Sequence, residues 1–253
     1  MITFRSTDFG LRHVFGTGTD TGVGKTTISA GLCRALLANK IKVGVRKPIA
    51  SGANLDAGQL RNDDALKLLE AAQVPLTSAS YQQVNPFCFA PAIAPHIAAA
   101  EQGQQLTAEA IAQRICAVPT QEELVVIEGA GGWLVPLSAT ETMADVAEQL
   151  NAGVILVVGM QLGCINHALL TVADIQRRGL TLLGWIANQL TPAPMPYWQE
   201  NFASLQQLIA APCWANIPYQ PNPAELLEAL TPLARHLAIE NNLVADVVAA
   251  YRR

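Results

Sequence analysis

The sequence predicts a doubly wound α/β fold built on a mostly parallel β-sheet. Short apolar runs alternate along the chain with amphipathic stretches. Three of these runs are almost continuously β-branched or aliphatic, which is typical of strands buried on both faces of a parallel sheet. The alternation of strand and helix favours a sheet that binds ligands at the carboxyl ends of its strands.

The predicted strands are the apolar runs at residues 12–16, 41–46, 124–127, 154–158 and 182–187. Helices are predicted at residues 27–38, 107–117 and 166–178 from apolar positions spaced three or four apart. Thr107 is a candidate N-cap for the second helix, and Gly179 is a candidate stop for the third.

Two proline-containing segments, residues 86–95 and 191–196, are predicted to be an ordered loop and a connection. Neither is long or polar enough for a domain linker, and the sequence contains no internal repeat. We therefore expect residues 1–253 to form a single domain.

Composition limits the function classes. The net charge of −4 argues against a nucleic-acid partner. No stretch approaches the ~20 apolar residues of a membrane span, and the first residues contain no apolar signal core. The five scattered cysteines suit a reducing cytosol. The expected location is cytoplasmic.

Residues 18–26, Gly-Thr-Asp-Thr-Gly-Val-Gly-Lys-Thr, have the composition and context of a phosphate loop. They lie between a predicted strand and a predicted helix, where backbone N–H groups and the helix dipole bind phosphate. Lys25 is placed to reach the terminal phosphates, and the Thr26 hydroxyl is placed to hold Mg²⁺. The loop is one residue longer than the usual pattern when counted from Gly18. The fold is therefore predicted to be of the P-loop NTPase type, and the chain to bind a nucleoside triphosphate.

Charged residues follow two other predicted strands. Glu128 comes directly after the strand at 124–127, where a carboxylate completes a Mg²⁺ shell in phosphate-loop enzymes. Lys47 follows the strand at 41–46, where an ammonium group can neutralise a transferring phosphoryl group. The alternatives are a surface salt bridge for Lys47 and a helix-capping role for Glu128. One of Asp63 and Asp64 is a metal ligand, or both are N-terminal helix acids; spacing does not choose.

Asn188 follows the strand at 182–187, where its side chain can bind the edge of a nucleotide base. The next residues, Gln-Leu-Thr, do not continue as the Asn-Lys-x-Asp guanine signature. The sequence therefore favours adenine over guanine.

Several motifs together resemble the dethiobiotin synthetase family. Besides residues 18–26, they are Lys-Pro-Ile-Ala-Ser-Gly (47–52), Leu-Arg-Asn-Asp-Asp-Ala (60–65), Val-Asn-Pro (84–86), Pro-His-Ile (95–97), Glu-Gly-Ala-Gly-Gly-Trp (128–133) and Leu-Gly-Cys-Ile-Asn-His-Ala (162–168). They occur in the family's order between about residues 13 and 225, and the longer phosphate loop is the form that this family uses. The resemblance implies an ATP-dependent cyclo-ligase that joins CO₂ to 7,8-diaminononanoate, giving dethiobiotin, ADP and phosphate.

The resemblance also implies roles for individual residues. Lys25 and Lys47 stabilise carbamate and phosphoryl oxygens, Thr21 and Ser51 contact the diamine, and Asn166 contacts the substrate carboxylate in the other subunit of a homodimer. Mg²⁺ is held by Thr26, Asp64 and Glu128. The ATP phosphates are implied to contact Gly22, Val23, Gly24, Lys25, Thr26, Thr27, Glu128, Gly129, Ala130 and Gly131, and adenosine to contact Asn188, Gln189, Pro218, Tyr219, Gln220 and Glu225.

The sequence departs from the family after about Pro223, so Glu225 rests on one aligned acid. The tail, residues 244–253, is expected to form a terminal helix in preference to a membrane-surface patch. Three other functions are alternatives to this one: a partitioning-type switch ATPase, an amidotransferase of the cobyrinate-synthase type and a paralogue that uses another diamine. The sequence argues against the first two. The switch ATPases carry an extra lysine early in the loop, where this chain has Thr19, Asp20 and Thr21. The amidotransferase needs a glutaminase domain, for which the chain is too short.

Overall fold

The computed structural model describes residues 12–117, 121–241 and 243. In chain order its strands are β1 (His13–Gly18), β2 (Val43–Arg46), β3 (Ile49–Ala50), β4 (Asn54–Asp56), β5 (Gln59–Arg61), β6 (Phe87–Cys88), β7 (Leu124–Glu128), β8 (Gly153–Met160), β9 (Leu182–Gln189) and β10 (Cys213–Ile217). Its helices are α1 (Lys25–Ala38), α2 (Asp63–Ala71), α3 (Ser78–Val84), α4 (Pro95–Glu101), α5 (Ala108–Cys116), α6 (Met143–Gln149), α7 (Cys164–Arg177), α8 (Trp198–Leu208) and α9 (Pro223–Glu240).

A six-stranded parallel sheet forms the centre, in the order β10-β9-β8-β1-β7-β2. The chain passes from β1 to the β2 edge, returns through β7 beside β1, and then continues on the other side with β8. The carboxyl end of β1 is therefore the point at which the direction of strand order reverses, where sheets of this type bind ligands. Two small pairs, parallel β3–β6 and antiparallel β4–β5, lie outside this sheet.

Helices cover both faces of the sheet because alternate strand residues point to opposite sides. Val14 and Val126 belong to one core cluster with α1, α2 and α9. Phe15 and Ile127 belong to a second cluster with α5 and α6. Leu156 lies on the same side as Phe15 and packs with α7 and α8. The prediction of a doubly wound parallel sheet is confirmed.

The five predicted strands are all present, with different ends. β7 includes Glu128, and β9 continues through Asn188 to Gln189, so both residues lie within strands and not after them. The segment 86–95, predicted as a loop, contains β6 and ends at the first residue of α4.

The three predicted helices are also present. The helix predicted at 27–38 begins two residues earlier, at Lys25, because Gly24 ends the preceding loop in a left-handed conformation with φ 93°. Thr107 caps α5 as predicted, its hydroxyl oxygen accepting the amide hydrogen of Ala110 at 3.1 Å. Gly179 follows α7 at φ +71°, a conformation that favours glycine after a helix. The predicted terminal helix at 244–253 lies outside the described residues.

No helix within the described ranges is both long and apolar enough to cross a membrane.

Candidate active site

The phosphate loop connects β1 to α1 and is attached to the neighbouring strand β8. The Thr19 amide donates to the Val157 carbonyl at 3.0 Å, and the Thr19 hydroxyl oxygen accepts from the Gly159 amide at 3.2 Å. Gly22 and Gly24 have φ values of 75° and 93°, which side chains rarely adopt. No side chain caps α1, so its first amides remain available for an anion.

Lys25 is the first residue of α1 and its side chain folds back over the loop. Nζ donates to the carbonyl oxygen of Asp20 at 2.9 Å. Burial, together with the nearby Lys47 ammonium, lowers the pKa of Lys25 to about 8, against the opposite effect of the carboxylates of Glu128 and Asp64. A bound phosphate would stabilise the ammonium form.

Glu128 is the centre of the site. It is 1% exposed, and its Oε1 accepts from Lys47 Nζ at 2.6 Å and from the Thr26 hydroxyl at 2.9 Å. Lys47 Nζ also donates to the Gly129 carbonyl at 3.1 Å and lies 3.8 Å from Asp64 Oδ2. Four residues that the sequence singled out separately, from β7, α1, α2 and the end of β2, therefore meet at one point.

These contacts decide two of the open alternatives and bear on a third. Lys47 is 5% exposed, so a surface salt bridge is wrong. Glu128 ends a strand and caps no helix. Both Asp63 and Asp64 lie in the first turn of α2, but Asp63 is exposed whereas Asp64 reaches Lys47.

The donor set fits a small divalent cation. Glu128 Oε2 is buried and has no hydrogen-bond partner among the described residues, which leaves a carboxylate oxygen free for a ligand. Together with the Thr26 hydroxyl and the Asp64 carboxylate it gives the oxygen ligands that Mg²⁺ prefers. No group of three or more His, Cys, Asp or Glu side chains suited to a metal occurs in the described part of the chain. Any Mg²⁺ site here would therefore combine two carboxylates with one hydroxyl.

The glycine segment after β7 lies directly against the phosphate loop. The Gly129 amide donates to the Gly16 carbonyl at 3.0 Å, and a Cβ at Gly129 would lie 3.1 Å from the Phe15 ring. Gly131 has a φ of 61°, and a Cβ there would approach Thr21 Oγ1 to 3.4 Å. Gly129 is packed tightly against β1, and Gly131 adopts a left-handed conformation that favours glycine.

Trp133 anchors the end of this glycine segment to α7. Its indole Nε1 donates to Asp174 Oδ2 at 2.8 Å. Arg178 holds the same carboxylate oxygen at 2.7 Å and also binds Asp145 and Glu148 of α6. The sequence pattern gave no indication of this link.

Asn188 supports the phosphate loop. It is buried within β9, and its Nδ2 donates to the Val23 carbonyl at 2.8 Å. A Cβ at Gly24 would clash with the same amide nitrogen. The predicted contact with a base stays a prediction.

A cleft of about 550 Å³ opens at the carboxyl ends of β9 and β10. Its lining includes Gln189 and Pro218, which the sequence singled out, and Tyr197, Trp198 and Asn216, which it did not. The Tyr-Trp pair at the start of α8 is the signal in the sequence that points to these aromatic lining residues.

The other residues assigned to adenosine lie along the chain after β10. Gln220 donates from Nε2 to the Tyr219 hydroxyl oxygen at 3.1 Å. Glu225 belongs to the capping box of α9, where its Oε2 accepts from the Asn222 amide at 2.9 Å. Thr27, which the resemblance assigns to the ATP phosphates and not to adenosine, is exposed in the first turn of α1.

The start of α7 is open to solvent. Gly163 precedes it at φ 96°, no side chain caps it, and Asn166 is exposed in its first turn. Leu162, just before the helix, is 95% exposed, and Leu170 further along α7 is also exposed.

Ser51, which the resemblance assigns to the diamine, is half-buried, and its carbonyl accepts from Asn62 Nδ2 at 3.3 Å.

Comparison with known proteins identifies a matching family model and several relatives of this chain. A family model described as an AAA domain matches residues 12–225. The "ATP-dependent dethiobiotin synthetase BioD" of Pseudomonas aeruginosa (strain UCBPP-PA14) is 46% identical over 87% of this chain and 92% of its own length. The protein of the same description from Cellvibrio japonicus is 47% identical over 81% of this chain and 88% of its own length.

Two solved structures share the fold at low identity. A ParA family ATPase from Chlorobium tepidum TLS superposes with a TM-score of 0.51 at 16% identity, covering 94% of this chain and 98% of its own. A MinC:MinD cell division protein complex from Aquifex aeolicus gives a TM-score of 0.53 at 16% identity, covering 89% of this chain and 95% of its own. At this identity the likeness shows the fold alone.

Proposed function

This chain belongs to the family of ATP-dependent dethiobiotin synthetases, and on that premise we propose how its residues carry out the reaction. The activity is that of an ATP-dependent carbon–nitrogen cyclo-ligase of biotin biosynthesis. Its substrates in this proposal are 7,8-diaminononanoate, CO₂ and ATP, and its products are dethiobiotin, ADP and phosphate.

One observation carries the assignment of the site. The buried Glu128 carboxylate receives Lys47 Nζ at 2.6 Å and the Thr26 hydroxyl at 2.9 Å while its other oxygen has no partner. This places a cation, a hydroxyl and a free carboxylate oxygen beside the phosphate loop. Such a site neutralises and orients anionic oxygens and contains no protein nucleophile.

The proposed chemistry has three steps. One amine of the diamine adds to CO₂ and loses a proton, giving a carbamate. A carbamate oxygen attacks the γ-phosphorus of ATP, the bond from that phosphorus to the β,γ-bridging oxygen breaks, and ADP leaves. The second amine attacks the carbonyl carbon of the mixed anhydride, and the ring closes as the carbon–oxygen bond to phosphate breaks and a proton is released.

Lys47 and Lys25 stabilise the charge that develops in these steps. Both ammonium groups lie at the phosphate loop. Lys25 Nζ donates to the Asp20 carbonyl of the loop at 2.9 Å, and Lys47 Nζ donates to the Glu128 oxygen that also accepts from Thr26. Thr21 and Ser51 are proposed to bind the diamine or its carbamate. Thr21 lies against Gly131 on one side of the phosphate loop.

Mg²⁺ is proposed to bind to the Thr26 hydroxyl and to the carboxylates of Asp64 and Glu128. When bound, the ion supplies charge neutralisation on the phosphate oxygens. The free Glu128 Oε2 supports this assignment.

The nucleotide is proposed to lie along the carboxyl ends of the strands. Its phosphates contact residues 22–27 and 128–131, and its adenosine contacts Asn188, Gln189, residues 218–220 and Glu225. The cleft lined by Gln189 and Pro218 supports the position of the adenosine. One of the two Nδ2 hydrogens of Asn188 is used by Val23, which leaves Oδ1 and the second hydrogen for a base contact.

A homodimer is proposed in which the start of α7 reaches the partner's site. Leu162, just before α7, and Leu170, on α7, are exposed apolar side chains, and the uncapped amides of this helix suit the substrate carboxylate beside Asn166. Equilibrium sedimentation measures the oligomeric state directly.

A single-domain chain and a cytoplasmic location, both expected from the sequence, stay predictions.

The proposed function is tested by phosphate release from Mg·ATP and bicarbonate, with and without 7,8-diaminononanoate, while dethiobiotin is followed by mass. We expect release that depends on the diamine and equals the dethiobiotin formed. Lys47→Met should lower both signals by about 10²–10³-fold. Lys67→Met, at an exposed lysine on α2, should change neither.

Two other outcomes would contradict parts of this proposal. Slow release that is indifferent to the diamine would indicate a switch ATPase. Equal turnover of a vicinal diamine of the same length that lacks the carboxylate would argue against a carboxylate site at Asn166.

A further inference from the structure

A continuous chain of hydrogen bonds runs behind the site and joins segments that carry three of its proposed residues. The Asn62 amide donates to the Tyr81 hydroxyl oxygen at 2.7 Å, and that hydroxyl donates to Asn85 Oδ1 at 3.0 Å. Asn85 Nδ2 donates to the Lys47 carbonyl at 2.6 Å. At the other end, Asn62 Nδ2 donates to the Ser51 carbonyl at 3.3 Å.

The chain also fixes the start of α2. Asn62 is the N-cap of this helix, and its Oδ1 accepts from the amides of Asp64 at 3.0 Å and Ala65 at 3.4 Å. The backbone amide of Lys47 adds a second bond from the same loop to α3, donating to the Val84 carbonyl at 2.8 Å. The segments of Lys47, Ser51 and Asp64 are thus connected through two side chains of α3 and its C-cap, Tyr81 and Asn85.

The three residues that form this hydrogen-bonded network are buried, and each takes part in at least two of its hydrogen bonds. Asn85 is 1% exposed, and Tyr81 and Asn62 are also buried. Burial raises the pKa of Tyr81 above its ordinary value, so the hydroxyl keeps its proton and remains a donor. The Cys88 thiol lies 3.5 Å from this hydroxyl, and Arg61 lies over the ring. Buried polar groups are costly without partners, and a satisfied network holds one arrangement of the backbone.

We propose that Tyr81 and Asn85 are positioning residues for the ligase reaction, setting the distance between Lys47 and the Asp64 end of α2 through the hydroxyl of Tyr81. This inference rests on the proposed function. Neither side chain is assigned a contact with substrate, so the effect is transmitted through the backbone of Lys47 and through Asn62.

The network predicts which kinetic constants change. Lys47 and Asp64 act on the transferring phosphoryl group, so a displaced network lowers kcat. The phosphate loop has its own anchors on β8 and β9, through Thr19 and Asn188, so the KM for ATP should stay the same. Small displacements of groups that position reactants have large effects on rate.

Tyr81→Phe tests the proposal because it removes the hydroxyl and keeps the ring. We expect kcat for dethiobiotin formation to fall about tenfold or more, with the KM for ATP within about twofold of the wild-type value. Asn85→Asp keeps the acceptor for Tyr81 but loses the donor to Lys47, and should give a similar fall. The double variant should be no slower than the slower single variant within about twofold, since both changes break one chain.

Leu237→Val is the control, because it removes a methylene-sized volume from the buried core on α9, a helix that contains no member of this network. It should lower the thermal midpoint and leave kcat unchanged at a temperature well below unfolding. A Tyr81→Phe variant with kcat within twofold of wild type would overturn the proposal. Equal losses in Tyr81→Phe and Leu237→Val would do the same. A wild-type protein that forms no dethiobiotin would contradict the proposed function itself, which separates the two failures.

Discussion

The buried ion pair between Lys47 and Glu128 makes a quantitative prediction about stability. At an effective dielectric constant near 20, two unit charges at their separation of 2.6 Å attract by about 6 kcal/mol. Removing both charges from water costs several kcal/mol for each ion, so the intact pair contributes little net stability. Removing one partner, however, leaves the other charge buried, since both residues are almost fully covered.

Lys47→Met should therefore lower the free energy of unfolding by about 3–5 kcal/mol, and Glu128→Gln should have a similar effect. The double variant Lys47→Met/Glu128→Gln should recover most of this loss, because it contains no unpaired charge. Urea unfolding followed by the fluorescence of the four tryptophans measures all three values. Lys67→Met, on the exposed face of α2, should stay within about 0.5 kcal/mol of wild type.

Activity should behave differently from stability in the same variants. The loss of Lys47 removes charge stabilisation of the transition state, which we expect to lower kcat by about 10²–10³-fold, and the double variant should recover none of it. The reasoning is refuted if Lys47→Met unfolds within 1 kcal/mol of wild type, or if the double variant is less stable than either single variant.

Three further predictions concern the loop and its supports. The pKa of Lys25 is lowered to about 8, so the neutral fraction of this side chain grows as the pH rises through 8. Because bound ATP favours the ammonium form, ATP binding at pH 8 should be accompanied by the uptake of about half a proton. At pH 6.5 the uptake should be almost zero. Calorimetry in buffers of different ionisation enthalpy measures this uptake. Gly24→Ala combines a φ of 93° with a clash against Asn188, and should weaken ATP binding by at least tenfold in equilibrium dialysis. Trp133→Phe loses the bond to Asp174 and should cost about 2 kcal/mol in urea unfolding, with little change in the KM for ATP.

The sequence predicted the central strands well because they are buried on both faces and therefore almost entirely apolar. It missed β10, the edge strand Cys213–Ile217, which is only half-buried and contains the exposed Asn216. It also missed α3, α4, α6, α8 and α9; the first three of these have seven residues each, too few for a clear apolar period.

The site was predictable where its residues end strands or belong to a motif. Lys47 and Glu128 were found in this way, and the structure adds that they touch. The supporting hydrogen bonds of Asn62, Tyr81 and Asn85 join segments that are far apart in the chain, and no local pattern reveals such partners. Asn62 and Asn85 do occur inside two of the motifs, Leu-Arg-Asn-Asp-Asp-Ala and Val-Asn-Pro, whereas Tyr81 occurs in none of them.

The position of β1 in the sheet also affects the order in which the protein can form during synthesis. β1 is translated before both of its neighbours, β7 and β8, which come from residues 124–128 and 153–160. Until residue 160 has left the ribosome, the nascent chain contains the phosphate loop without the strand to which Thr19 attaches. Pairing between segments so distant in the chain is slow, and unpaired strand edges favour aggregation meanwhile. Fragments that end before β8 should therefore neither bind nucleotide nor remain dispersed.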